Sequence, residues 1–370
     1  MWRVILVETV TGRTSRVLDV GEGSWDIELN KIESGSVTVK KTALDGLARD
    51  WFSPWQAGLL FAYESPTGLV PWCGGPITGW PAESKHELQF DWKGIREILT
   101  RRHLEKDYAF KGLSLGSIAW EVVQAAQDKP GGGLPIVHGS PYEAYTPGHQ
   151  RTYEWWNLAN NIADKRLTEL SEVINGPDMM FRPRWADESQ NSVVWEFVHG
   201  TRVDPGLYQE WVPDWDTTVD ASDVESFDMT SDALDIAMRV WGTGAGEGAG
   251  TVITKAEDLT LVRDFFPFLE SIISDTDQAK AEPIRQKCLA ALSGSQKMTD
   301  QLGMTVRADS KKNPLGSWFV GDDCRITTGD EWLSVPAGTR TMRILKASGD
   351  LTNSVNLDLQ EGQWATGTDI

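Results

Sequence analysis

The sequence predicts an α+β fold that is mainly β: two small antiparallel β-barrels, an α+β insertion between them, and a helical insertion that splits the second. Three observations predict it. Apolar and polar residues alternate in short runs through the first hundred residues, the period of strands with one buried face. The period then changes to the i, i+3, i+4 spacing of helices. Finally, a meander at 315–359 has too few strands to bury its apolar face alone. Its expected partners, 224–229 and 235–241, lie across a mostly helical block. The expected segments are therefore 1–100 (first barrel), 101–210 (α+β insertion), 211–256 with 304–370 (second barrel) and 257–303 (helical insertion).

In the first segment Trp25, Ile27 and Leu29 alternate with Asp26 and Glu28, and Val37 and Val39 alternate with Thr38 and Lys40. Residues 59–63 and 69–72 flank Ser65, Pro66, Thr67 and Gly68, a loop whose Pro and Gly reverse the chain. Strands follow at 77–80 and 86–92. Residues 43–51, with Leu44 and Leu47, read as a short helix.

Past residue 101, Ser114 caps a helix whose stripe is Leu115, Ile118, Ala119, Val122, Val123 and Ala126. A second helix is expected after Thr152, carrying Trp155, Leu158, Ala159 and Ile162. Asn175, Gly176 and Pro177 break the chain before a hairpin of 179–185 with 192–198. Beyond 211 the chain returns to β and ends in a loop with glycines at alternate positions, Gly242, Gly244, Gly246, Gly248 and Gly250. Two helices are then expected, 259–273 despite the disturbing Pro267, and 279–292 with Thr276 or Asp277 as cap. In the closing meander Val355, Leu357 and Leu359 alternate with Asn356 and Asp358. The polar end, 361–370, reads as loose.

Composition narrows the function. With 370 residues and 40% hydrophobic content the chain can build several cores, and no run approaches the roughly 18–20 apolar residues of a membrane span. The N-terminus reads as an edge strand rather than a signal peptide. A net charge of −19 argues against direct binding of DNA or an anionic membrane, because phosphate affinity needs clustered Lys and Arg. The three cysteines (Cys73, Cys288, Cys324) and five histidines form no CxxC, HxxxH or HxH pair, so neither a disulfide framework nor a structural zinc site is expected.

Motifs that could carry chemistry each have a plainer reading. Gly244, Gly246 and Ala249 satisfy GxGxxA, but a β-branched run follows where a nucleotide site needs a helix. The 18 tryptophans, Trp155 and Trp156 among them, could stack on sugars, yet most occupy apolar-face positions where they fill a core. Asp214, Asp216, Asp220, Asp223, Glu225 and Asp228 lack the glycine and terminal Glu of an EF-hand. There is no GxSxG, and His138, Gly139 and Ser140 sit in a Pro/Gly loop. No catalytic, cofactor-binding or metal-ligating residue is expected, and the protein reads as a non-enzyme.

The order of these parts resembles that of the tail hub (tail-associated, minor tail) proteins of long-tailed phages, in particular siphophages infecting actinobacteria. The residues that carry the likeness are Asp19 to Asn30 leading into Gly35 to Val39, Asn175 to Trp185, the Trp241 to Thr251 loop, and Gly321-Asp322 after Trp318. The resemblance implies a structural virion protein made in the host cytoplasm. It implies a homotrimer in which three subunits present six similar barrels around a channel. Its neighbours would be the distal tail protein, the tape measure protein and other minor tail proteins, with DNA passing through unbound. An acidic lumen would reduce DNA adhesion. The glycines at 242, 244, 246, 248 and 250 are the expected subunit or partner contact, since they offer exposed backbone donors. The alternatives are a carbohydrate- or receptor-binding tail protein, a cell-wall hydrolase motivated only by the carboxylates, and a distal tail ring protein.

Overall fold

Alternating apolar residues produce strands through most of the chain. The computed structural model describes residues 1–361 other than 67, 132, 220–221, 277, 297–298 and 333–336. It divides into two units, 1–228 with 303 onward, and 229–302.

The first unit opens with β1 (Trp2–Glu8), β2 (Thr14–Leu18), β3 (Val20–Glu28), β4 (Ser34–Lys40), β5 (Ala57–Ser65), β6 (Gly68–Gly79) and β7 (Glu87–Lys93). Their hydrogen-bonded order is β3-β4-β7-β6-β5-β1-β2. The two end strands, β3 and β2, are separated in sequence by Asp19 alone, so this half must curl until its ends meet. β1 and β5 are apolar on both faces. Leu6, Leu59 and Phe61 point to one side and Ile5, Val7, Leu60 and Ala62 to the other, all buried. The expected helix at 43–51 is two short 3₁₀ turns, Lys41–Leu44 and Arg49–Phe52, with Gly46 at φ 77 between them. A left-handed residue cannot continue a right-handed helix.

The second face of β1 and β5 is covered by the next block: β8 (Tyr108–Leu113), α1 (Leu115–Gln127), β9 (Ile136–His138), β10 (His149–Tyr153), α2 (Ala163–Ser171), β11 (Met179–Trp185) and β12 (Val193–His199). Ser114 caps α1 by accepting from Ser117 N at 3.1 Å. Ile118, Val122 and Val123 share one core with Ile5, Val7, Leu60 and Ala62. The block is thus built onto the first β half rather than standing apart from it. The helix expected after Thr152 is corrected: a 3₁₀ turn, Trp155–Asn157, follows β10, and the helix starts at Ala163. Asn161 is the cause, because its buried side chain donates to Glu154 O at 2.8 Å and holds a turn in place of a helix.

The remaining strands of this unit are β13 (Asp214–Asp216), β14 (Val224–Asp232) and, after the inserted strands β15 (Arg239–Thr243), β16 (Ile253–Glu257) and β17 (Glu270–Ser274), β18 (Thr299–Arg307), β19 (Asp323–Thr328), β20 (Gly338–Asp350) and β21 (Ser354–Glu361). They are ordered β13-β19-β20-β21-β18-β14. Here too the two end strands follow one another in the chain, and Ser222 Oγ donates to Asp216 O at 2.5 Å across the link. β20 pairs with β3, Ala347 opposite Ile27, which joins both halves into one sheet of thirteen strands among the described residues.

The inserted unit is α/β rather than helical. β15 is its central strand, antiparallel to β16 and parallel to β17, and α4 (Ala281–Gly294) covers one face with Ile284, Cys288 and Leu292 against Val240 and Ala256. Residues 235–241 therefore do not pair with the meander, as the sequence had suggested; β14 supplies that edge. The helix expected at 259–273 shrinks to α3 (Thr260–Arg263), followed by β17. Phe265 at φ 67, Pro267 and the β-branched pair Ile272 and Ile273 account for the change. The second expected helix forms as α4, capped at Lys280 without a side-chain bond; Asp277 and the tail beyond 361 lie outside the described residues.

Candidate interaction surfaces

Five tryptophans explain why this chain is so rich in them. Trp2, Trp25, Trp72, Trp318 and Trp215 form a continuous run, with successive ring centroids 5.4, 5.8, 5.4 and 5.7 Å apart. All five are buried. They are core, and stacking on sugar is closed to them.

The β11–β12 hairpin braces both halves. Trp195 Nε1 donates to Gly74 O at 3.2 Å and Trp185 Nε1 to Leu69 O at 2.7 Å, seating it on β6. On the other side Arg182 donates to Val320 O and to Asp322, each at 3.0 Å, and Arg343 pairs with Asp178. Asn30, at φ 63 between β3 and β4, donates to Asp178 at 2.9 Å and accepts from Met179 N at 2.7 Å. Burial pushes the Asp178 and Asp322 carboxyls up, and Arg343 and Arg182 respectively pull them back.

Neither the cysteines nor the histidines form a reactive centre. All three thiols are free and buried, and burial pushes Cys73 and Cys324 far up. His138 and His199 face each other through Nε2 at 2.9 Å. His199 Nδ1 donates to Gly200 O at 2.8 Å, so its Nε2 accepts from His138. Ser140 Oγ donates to His199 O at 2.8 Å, a backbone bond and not the imidazole contact that activates a nucleophile. Among the described residues no group of three or more His, Cys, Asp and Glu could hold a metal ion. Of the acidic run, Asp214 pairs with Lys312 at 3.0 Å, Glu225 with Arg307 at 3.5 Å, and Asp216 accepts from Thr218 at 2.6 Å; Asp220 lies outside the described residues.

The glycine loop splits in two. A Cβ on Gly242 would lie 2.4 Å from Ile284 and 2.6 Å from Cys288 Sγ, and one on Gly244 would lie 2.3 Å from Ile284. These two let α4 approach the sheet. Gly246 (φ 127) and Gly248 (φ 56) turn the loop, and Gly248 and Gly250 have open space where a side chain would be.

The surface that sequence reasoning missed is the segment read as a helix. Phe265 is 98% exposed and Ile272 68%, with Leu259, Val262, Phe266 and Phe268 also exposed. On the sheet face opposite α4, Arg239 bonds Glu257 and Glu270 and lies over Trp241 and Phe268. The failed helical period, with five apolar residues in the six from 261 to 266 and 268 interrupted by Pro267, was the available signal. Trp155 and Trp156 form a smaller exposed pair, held by Trp155 N donating to Asp107 at 2.8 Å.

A groove of about 460 Å³ lies in the first unit between the 204–212 segment and β19–β20, lined by Leu207, Tyr208, Val212, Arg325 and Arg343 among others. Gln209 ties its wall down by donating to Asp323 O at 3.2 Å. Tyr208 is 78% exposed, and Val203, Trp211 and Val212 nearby in sequence are exposed as well.

This architecture is that of phage and prophage tail proteins. The chain is similar to the 43 kDa tail protein of prophage MuSo2 from Shewanella oneidensis, with a TM-score of 0.55 at 11% identity over 97% of this chain and 98% of that one. It is similar to a tail protein from Neisseria meningitidis (TM-score 0.53, 12% identity, 97% and 96% covered). A third likeness is to prophage tail protein gp18 from Listeria monocytogenes (TM-score 0.51, 11% identity, 98% and 95% covered). No family model and no curated protein matches the sequence.

Proposed function

We propose that this protein is a non-enzymatic component of a phage virion, the homotrimeric tail-tip or baseplate hub of a siphophage infecting actinobacteria. The observation that carries the reading is a likeness running through almost the full length of three tail proteins, both β halves and both insertions included. In this reading the first barrel (1–100) and the split second barrel of each subunit alternate around a channel, so that three chains match a six-fold ring above. The hub joins the tail tube to host-recognition proteins and lines or closes the path of DNA. Its neighbours are the distal tail, tape measure and other minor tail proteins. The net charge of −19 supports a wall to which DNA does not adhere.

Light scattering on the purified protein tests it. A mass about three times 41.1 kDa is expected. Six copies would indicate a distal tail ring instead. Exposed Trp155 and Trp156 favour a second reading, carbohydrate or receptor binding. Retention on host cell-wall polysaccharide that is lost in Trp155→Ala would establish that one.

A further inference from the structure

Phe265 combines two unfavourable features. Its backbone sits at φ 67, a region that a bulky L-residue occupies at a cost of roughly 1–2 kcal/mol, and its ring is 98% exposed. Nothing within the inserted unit repays either: α4 packs on the sheet through Ile284, Cys288 and Leu292 and makes no use of it. Strain that displays an aromatic ring to water points to a ligand outside the chain. Beside it Asp264 makes no ion pair among the described residues, whereas neighbouring Asp258 feels Arg263 and is bonded by Thr260.

The groove on the first unit is the complementary feature. It is concave and its apolar wall (Leu207, Tyr208, Val212) is pinned by Gln209 before anything binds. Its open cation is Arg325, exposed and without an ion pair among the described residues, while Arg343 is held by Asp178. An aromatic anchor entering such a pocket buries roughly 150–250 Å² of ring surface. Joining Asp264 to Arg325 pairs two charges that are otherwise open.

We propose that the Phe265 knob of one copy seats in the Leu207–Tyr208–Val212 groove of a second copy, with Asp264 meeting Arg325. Contact of knob with knob is disfavoured, because it would set Asp264 against Asp264 in a chain that already carries −19. A knob-to-groove contact uses different patches on the two partners, and such head-to-tail contacts close into rings. The inference rests on the trimeric reading in that copies of this chain meet; it specifies where.

Cysteine cross-linking tests the contact directly, since the three native thiols are buried. Chains carrying Phe265→Cys and chains carrying Tyr208→Cys are co-expressed, purified together and oxidised. A two-chain band in the mixture, absent when either variant is expressed alone, is the expected result. No such band, or an equally strong band from Phe265→Cys alone, overturns the proposal. The mass of the unsubstituted protein separates the two readings: a trimer that fails to cross-link removes this contact and leaves the hub, whereas a hexamer removes the hub itself. As a second readout, Asp264→Arg should reduce the assembled fraction at least tenfold and Arg325→Asp in the same chain should restore it. Loss without restoration counts against the pairing of these two charges.

Discussion

Trp72 and Trp318 meet edge to face, their ring centroids 5.4 Å apart and their planes at 78°. One belongs to β6 and the other to the loop before β19, nearly 250 positions later, so this contact links the cores of the two β halves. Trp72 also touches Trp25 and stacks on Phe319, which places it at the centre of the aromatic run.

Trp318→Ala should therefore destabilise the first unit by about 3–5 kcal/mol, the usual cost of deleting a fully buried large aromatic. Urea unfolding followed by circular dichroism checks it. Trp155→Ala, at an exposed ring, should stay within about 0.5 kcal/mol of the unsubstituted protein.

Glu33 is buried and accepts from Gly74 N at 3.3 Å, and burial pushes its carboxyl up to about 8. The folded state thus keeps a proton between pH 4.5 and 8 that the unfolded chain releases. The stability this contributes is present below pH 4.5 and is lost as the pH rises through 8. Glu33→Gln removes that loss, so between pH 5 and 8 the variant should gain roughly 3–5 kcal/mol relative to the unsubstituted protein. A gain that does not change with pH would rule the mechanism out.

His199 has the opposite sign. Burial holds it down at about 4, so between pH 4 and 6.5 the unfolded chain binds a proton that the folded state refuses. Stability is full above pH 6.5 and falls as acid takes the pH through 4, by about 3 kcal/mol. The two groups oppose one another between pH 4.5 and 6.5. In the Glu33→Gln background the His199 arm stands alone, and the melting temperature should climb steadily from pH 4 to 6.5.

Gly242→Ala should loosen the inserted unit by more than 1 kcal/mol, because its Cβ would sit 2.4 Å from Ile284 and α4 would have to shift. Gly250→Ala meets nothing within 4 Å and should be near neutral. Hydrogen exchange of the α4 amides distinguishes the pair: faster exchange in the first variant only.

Local chemistry made several elements legible. Ser114 and the stripe from Leu115 to Ala126 announce α1, and the alternation in Met179 to Trp185 and Val193 to His199 announces the β11–β12 hairpin. Two errors share one cause. Leu259 to Ile273 and Trp155 to Ile162 both contain apolar residues at helical spacing, yet Phe265 in a left-handed conformation, Pro267 and the Asn161 bond to Glu154 O decide otherwise. Spacing alone does not register these competing bonds. The glycine loop was read as a contact surface throughout, whereas Gly242 and Gly244 are occupied with admitting α4.

By itself the sequence determined that this chain is mostly strands, where its hairpins turn, that two insertions interrupt the β order, and that its charge is strongly acidic. Those follow from residue type and period, which act over a few neighbours. Only the tertiary structure decided that β3 pairs with β20, that Trp72 meets Trp318, that the inserted unit begins at Met229, and that Phe265 faces water. A period shows which face of an element is apolar. What covers that face depends on segments hundreds of residues away, and on the ones that leave it bare.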